Sequence, residues 1–138
     1  EGIAKALSLA GSHDFFGVQQ SEYERRRSQL MAALDGAGLP YVVPDGAYYL
    51  LANAASIKIP ADYEFPPYIE ERGDNFKLLY YFIREFGVSG IPPTEFYSDA
   101  HKTLAKDYIR FAFCKPNEVL EEAARRLQKV KTHLQDTA

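Results

Sequence analysis

The chain has 138 residues, 46% hydrophobic and 14% aromatic, with nine Phe, ten Tyr and no Trp. That is enough apolar side chain for one compact domain and too much for a disordered or low-complexity segment. A formal net charge of −3, with Lys and Arg scattered along the chain, provides no footprint for nucleic acid or an anionic membrane, and apolar runs such as 47–52 fall far short of the roughly 20 residues that span a bilayer.

The first strong element begins at Ser21. Ser21-Glu-Tyr-Glu has the form of a capping box, and Tyr23, Arg27, Leu30, Leu34 and Ala37 follow at three- and four-residue steps up to Gly36 and Gly38, predicting a helix over 21–36. A β-rich run, 39–43, is followed by Pro44-Asp45-Gly46 and then by Ala-Tyr-Tyr-Leu-Leu-Ala, which reads as two strands joined tightly and antiparallel. Residues 53–73, broken by Pro60, Pro66, Pro67 and Gly73, read as a long surface excursion. Asp74 caps a second helix with Phe76, Leu79, Ile83 and Phe86 along one side and Gly87 closing it. A strand over 88–91 is predicted next, ended by Pro92-Pro93, with a short helical turn from Thr94 through Tyr97.

Residues 107–114 alternate. Ile109, Phe111 and Phe113 share one face of a strand, and Tyr108, Arg110, Ala112 and Cys114 share the other. Pro116 opens a last helix with the apolar stripe Leu120, Ala123, Leu127, Val130 and Leu134 opposite a solvated face of Glu121, Glu122, Arg125, Lys129 and Lys131. This order predicts an α+β fold, a small and mostly antiparallel sheet covered on one face by helices.

Arg110 is the residue with chemical potential. A guanidinium on a rigid strand suits bidentate binding of a carboxylate or phosphate. Local pattern leaves open that it is merely solvated or paired with an acid such as Asp107 or Glu118. His13, His101 and His133 are far apart and lack metal-ligand spacing, so no metal site is expected. Cys114, the only cysteine, reads as a small core residue in a protein from a reducing compartment. The first residues show no charged stretch followed by an apolar one, so a cytoplasmic location is expected, with a mitochondrial one also open.

Four segments taken together resemble the end of class I/II pyridoxal-phosphate aminotransferases. They are Tyr23-Glu-Arg-Arg-Arg27 with 34–38; Pro44-Asp-Gly-Ala-Tyr-Tyr-Leu-Leu51; Val88-Ser-Gly-Ile-Pro-Pro93 with Glu95-Phe-Tyr97; and Tyr108-Ile-Arg-Phe-Ala-Phe113. The likeness covers almost the whole chain and is greatest to the group containing kynurenine aminotransferase, glutamine transaminase and cysteine-conjugate β-lyase. It implies a fold-type I C-terminal small domain over 1–138, with 1–20 as the end of an interdomain helix and its connection. It further implies that Arg110 grips the α-carboxylate of an amino-acid or 2-oxo-acid substrate, with Gly46, Tyr48, Ile91 and Pro92 near the same cleft.

The resemblance places pyridoxal 5′-phosphate in a homodimeric parent protein, since no lysine here has the family's setting. Lys58 follows Ser56 but is followed by Ile-Pro-Ala. No catalytic or cofactor-holding residue is therefore expected in this chain, no cofactor is expected on it alone, and the large domain is its implied partner. The rival reading is a free-standing α+β module that binds or senses an amino acid.

Overall fold

One face of a three-stranded sheet meets the apolar sides of three helices in the computed structural model, which describes residues 1–134. Residues 135–138 of the expected 1–138 span lie outside the described residues. In chain order the elements are α1 (Gly2–Ala10), α2 (Phe15–Ala37), β1 (Tyr41–Val42), β2 (Tyr49–Asn53), α3 (Pro67–Glu70), α4 (Asp74–Phe86), β3 (Tyr108–Ala112) and α5 (Asn117–Leu127). Short 3-10 helices cover Pro93–Phe96, Asp99–Leu104 and Gln128–His133.

The sheet runs β1-β2-β3 and is antiparallel throughout, with Val42 opposite Leu51 and Leu51 opposite Arg110. The expected alternation is present. Leu50 and Ala52 of β2 and Ile109 and Phe111 of β3 are buried against α2, α4 and α5, whereas Tyr49, Leu51, Asn53, Tyr108, Arg110 and Ala112 are half-buried on the opposite face. Leu34, Phe82 and Leu127, each fully buried, bring the three helices into this single core.

Several predicted elements are corrected. Helix α2 begins at Phe15, not Ser21, and the Ser21 hydroxyl donates to the Gly17 carbonyl at 3.0 Å instead of capping. A Ser hydroxyl bonded to the carbonyl four residues back is compatible with a helix interior, and the helix runs back through 15–20 to Asp14, which takes a left-handed conformation, φ 47°. The predicted end is sound: Gly38, φ 76°, lets its own N–H reach Asp35 O and the Leu39 N–H reach Leu34 O, both at 3.0 Å.

The strand predicted over 88–91 is absent. Only Ile91 bridges β3, opposite Arg110, because Pro92 and Pro93 have no N–H with which to extend a ladder. The buried face of α4 is also turned from the predicted one, with Leu78, Leu79, Tyr81, Phe82 and Phe86 inside and Ile83 38% exposed. Two overlapping stripes exist on this helix, and the one chosen also buries Asn75.

Residues 53–73 are more than a surface excursion. Ala54 and Ile57 belong to the core, Tyr63 and Phe65 pack on it, and Ile57 bridges Leu134. The last helix stops at Leu127 and continues as a 3-10 helix, which still buries Val130. Residues 1–20 divide between α1 and the first part of α2, and Ile3, Leu7, Phe15 and Phe16 are all at least half exposed.

Candidate functional site

Strand β3 presents Arg110 on the sheet face away from the core, and both neighbours of the strand hold its backbone. On one side it lies opposite Leu51 in β2. On the other, Ile91 N–H donates to Arg110 O and Arg110 N–H donates to Ile91 O, each at 3.0 Å. The strand can approach the 88–91 segment this closely because residue 90 is glycine. A Cβ there would collide with the Ile109 side chain and come within 3.1 Å of the Arg110 carbonyl.

The guanidinium lies between two aromatic rings. Its central carbon is 4.7 Å from the Tyr49 ring centre and 4.2 Å from that of Phe96. Tyr49 comes from the diagonal position of β2, since it pairs with Ala112, and Phe96 comes from the 3-10 helix that follows Pro92. Such contacts hold a cation at about 0.5–2 kcal/mol each while using none of its five N–H donors. Among the described residues the ion pairs do not include Arg110. Asp107, which sequence pattern left open as its partner, is 3.9 Å from Lys106 instead.

Arg110 opens into a hollow of about 410 Å³ that Tyr48, Tyr49, Ser89, Gly90, Ile91 and Lys115 also line. Of the residues proposed from sequence, this brings Tyr48 and Ile91 together with Arg110. Pro92, next in the chain to Ile91, is buried and does not line the hollow. Gly46 is elsewhere: it lines a separate hollow with Tyr23, Arg27 and Phe113. The 44–47 turn leads away from the outer face of β2, and its left-handed residue is Ala47, φ 63°.

Tyr49, Phe96 and Lys115 were not proposed from sequence. The strict alternation of β2 was a signal for Tyr49, which must share the outer face with Leu51. Nothing local marks Phe96.

The lining of this hollow contains two cations and no carboxylate, so it suits an anionic group. It does not suit pyridoxal phosphate as a whole. No Asp or Glu is there to face a pyridine nitrogen, and its walls are strands and extended chain, not the helix N-terminus that favours a phosphate ester. In the hollow near Asn75, by contrast, the cations have acidic partners: Arg72 is 4.0 Å from Glu95 and Lys102 is 2.7 Å from Asp99. Among the described residues no group of three or more His, Cys, Asp or Glu side chains could hold a metal ion, and no helix is long and apolar enough to cross a membrane.

No protein-family model matches the chain. Individual proteins do. It is 37% identical over 134 residues to the probable kynurenine-oxoglutarate transaminase BNA3 of Saccharomyces cerevisiae, covering 97% of this chain and 30% of that protein. To the kynurenine-oxoglutarate transaminase of Dictyostelium discoideum it is 32% identical, covering 95% of this chain and 31% of that protein. The crystal structure of yeast Bna3p superposes with a TM-score of 0.89 at 37% identity, over 95% of this chain and 31% of that one. That of the aromatic aminotransferase of Pyrococcus horikoshii does so with a TM-score of 0.69 at 26% identity, over 94% and 30%. The chain thus spans about three-tenths of the length of these relatives. In sequence and in fold together, the chain belongs to the aminotransferase family, among the kynurenine-oxoglutarate transaminase-like members.

Proposed function

We propose that this chain is the substrate-carboxylate-holding small domain of a homodimeric, pyridoxal-phosphate-dependent aminotransferase, and that it is inactive without the large domain. The parent enzyme acts on amino acids and 2-oxo acids, of the kynurenine or glutamine type. The observation that carries the reading is Arg110, a guanidinium braced by Tyr49 and Phe96, outside every ion pair of the described residues and open to a hollow without a carboxylate.

Pyridoxal phosphate, when bound in the parent, supplies the electron sink for the reaction. The residues around Arg110 do not hold it. Their part is to bind the substrate's carboxylate through two parallel N–H donors and so fix the orientation of its α-carbon. Tyr48 and Ile91, 54% and 43% exposed, form an apolar rim that would exclude water once a second domain closed over it.

In the parent enzyme, Arg110→Ala should retain the absorbance of bound cofactor and weaken substrate binding by roughly ten- to 150-fold, the equivalent of one charged hydrogen bond at about 1.5–3 kcal/mol. Loss of the absorbance with unchanged affinity would refute the assignment. A free-standing module, in contrast, would bind free amino acid as the isolated chain, which calorimetric titration detects.

A further inference from the structure

Asn75 is 3% exposed although it is polar and lies in the first turn of α4. Its Nδ2 donates to Lys106 O at 2.7 Å and to Tyr108 O at 2.8 Å, and its Oδ1 accepts from Thr94 Oγ1 at 3.1 Å and from Thr94 N–H at 3.5 Å. A side-chain amide has two donors and two acceptor sites, so every one is used. A buried amide with this complement is stiff, because releasing any partner leaves a polar group unpaired in a dry place.

The partners of Asn75 are not arbitrary. Tyr108 opens β3 two residues before Arg110, and Thr94 sits two residues before Phe96 in the 3-10 helix. One amide therefore spans the two segments that hold the guanidinium, the strand that carries it and the turn whose ring lies 4.2 Å from it. Thr94 is itself 8% exposed, so its hydroxyl has no solvent to turn to. The backbone bridge at Ile91 ties the same two segments from the other end.

Resting on the reading that Arg110 holds the substrate carboxylate, we propose that Asn75, through Thr94, is a positioning residue for that site. It locks the Phe96 turn to the start of β3, so that the guanidinium meets the carboxylate already oriented. It touches neither substrate nor cofactor.

The test uses the whole parent enzyme, with an amino-acid substrate and the matching amine that lacks the α-carboxylate as a competing ligand. The ratio of the two affinities reads the carboxylate grip alone. Arg110→Ala should abolish most of that ratio. Asn75→Ala should lower it about tenfold, and Thr94→Val, which removes one hydroxyl and keeps the shape, about threefold, with Thr94→Ser restoring it. Affinity for the amine should stay unchanged in all four.

An asparagine that only stabilised the fold would lower the melting temperature and leave the ratio alone. That outcome in both Asn75→Ala and Thr94→Val, with Arg110→Ala still destroying the ratio, overturns the proposal and leaves the carboxylate reading standing. If Arg110→Ala also left the ratio intact, the carboxylate reading would fail and the proposal with it. Should Asn75→Ala not fold, Thr94→Val against Thr94→Ser decides.

Discussion

At the scale of single residues, Arg110 is held by contacts from segments far from it in sequence, and its charge is left without an acidic partner among the described residues. On the last helix, charges pair within one turn. Glu122 accepts from Arg125 Nε at 2.8 Å and from Arg126 Nε at 2.6 Å. The Arg125 hydrogen bonds first, and those of Arg126 next, pull its carboxyl down from 4.5 to about 2. A carboxyl depressed on folding contributes stability above its unfolded value and loses it as pH falls through the folded one. The effect should thus be constant above about pH 5 and fade toward about pH 2, and NMR titration should find the Glu122 midpoint near the lower value. Both partners are solvent-exposed, so the accompanying change in stability is small. Ala47 offers a clearer gain. It is an exposed, non-glycine residue at φ 63°, so Ala47→Gly should raise stability by about 1 kcal/mol, measurable as a higher melting temperature.

At the scale of elements, the segment 88–91 is informative because it neither forms the predicted strand nor leaves the sheet. It runs along β3 with one bridge, and Gly90 lets it do so. Gly90→Ala must push backbone away from the buried Ile109 and the Arg110 carbonyl. Urea denaturation should show a loss of about 1–3 kcal/mol, as overpacking at a tight contact does. The same variant should weaken carboxylate binding in the parent enzyme, because the Ile91 bridge is one of the two braces of Arg110. Leu34 of α2 is fully buried where that helix meets the core. Leu34→Ala should cost about 3–5 kcal/mol without touching the outer face of the sheet.

At the scale of the molecule, two surfaces are more apolar than water favours. One follows α1 and the start of α2, where Ile3 is 81% and Phe16 63% exposed; the other surrounds Arg110, with Tyr48, Ile91 and Phe96. Clusters of exposed apolar side chains suit contact with another protein layer. The isolated chain should therefore associate in a concentration-dependent way in analytical ultracentrifugation. Ile3→Ser with Phe16→Ser should reduce that association and leave the circular dichroism spectrum unchanged, since neither side chain belongs to the core. A strictly monomeric chain at high concentration would argue against a docking role for this surface.

Periodicity was enough to show that β3 buries Ile109 and Phe111 and turns Arg110 outward, that Gly38 and Gly87 end helices, and that Leu120, Leu127 and Val130 face inward on the last helix. These are properties of one segment at a time, and a period of two or of three to four residues expresses them directly. What surrounds Arg110 is a property of pairs. Tyr49 reaches it through the β2–β3 register, Phe96 through the path of the turn after Pro92, and Asn75 through hydrogen bonds to segments 19 and 33 residues away. Gly46 was expected near the site from the family resemblance, yet it lines another hollow. The amino-acid sequence by itself determined the outward arginine and the family it belongs to. Only the tertiary structure decided which rings and which buried amide brace it, because contacts between distant segments leave no period in the chain that makes them.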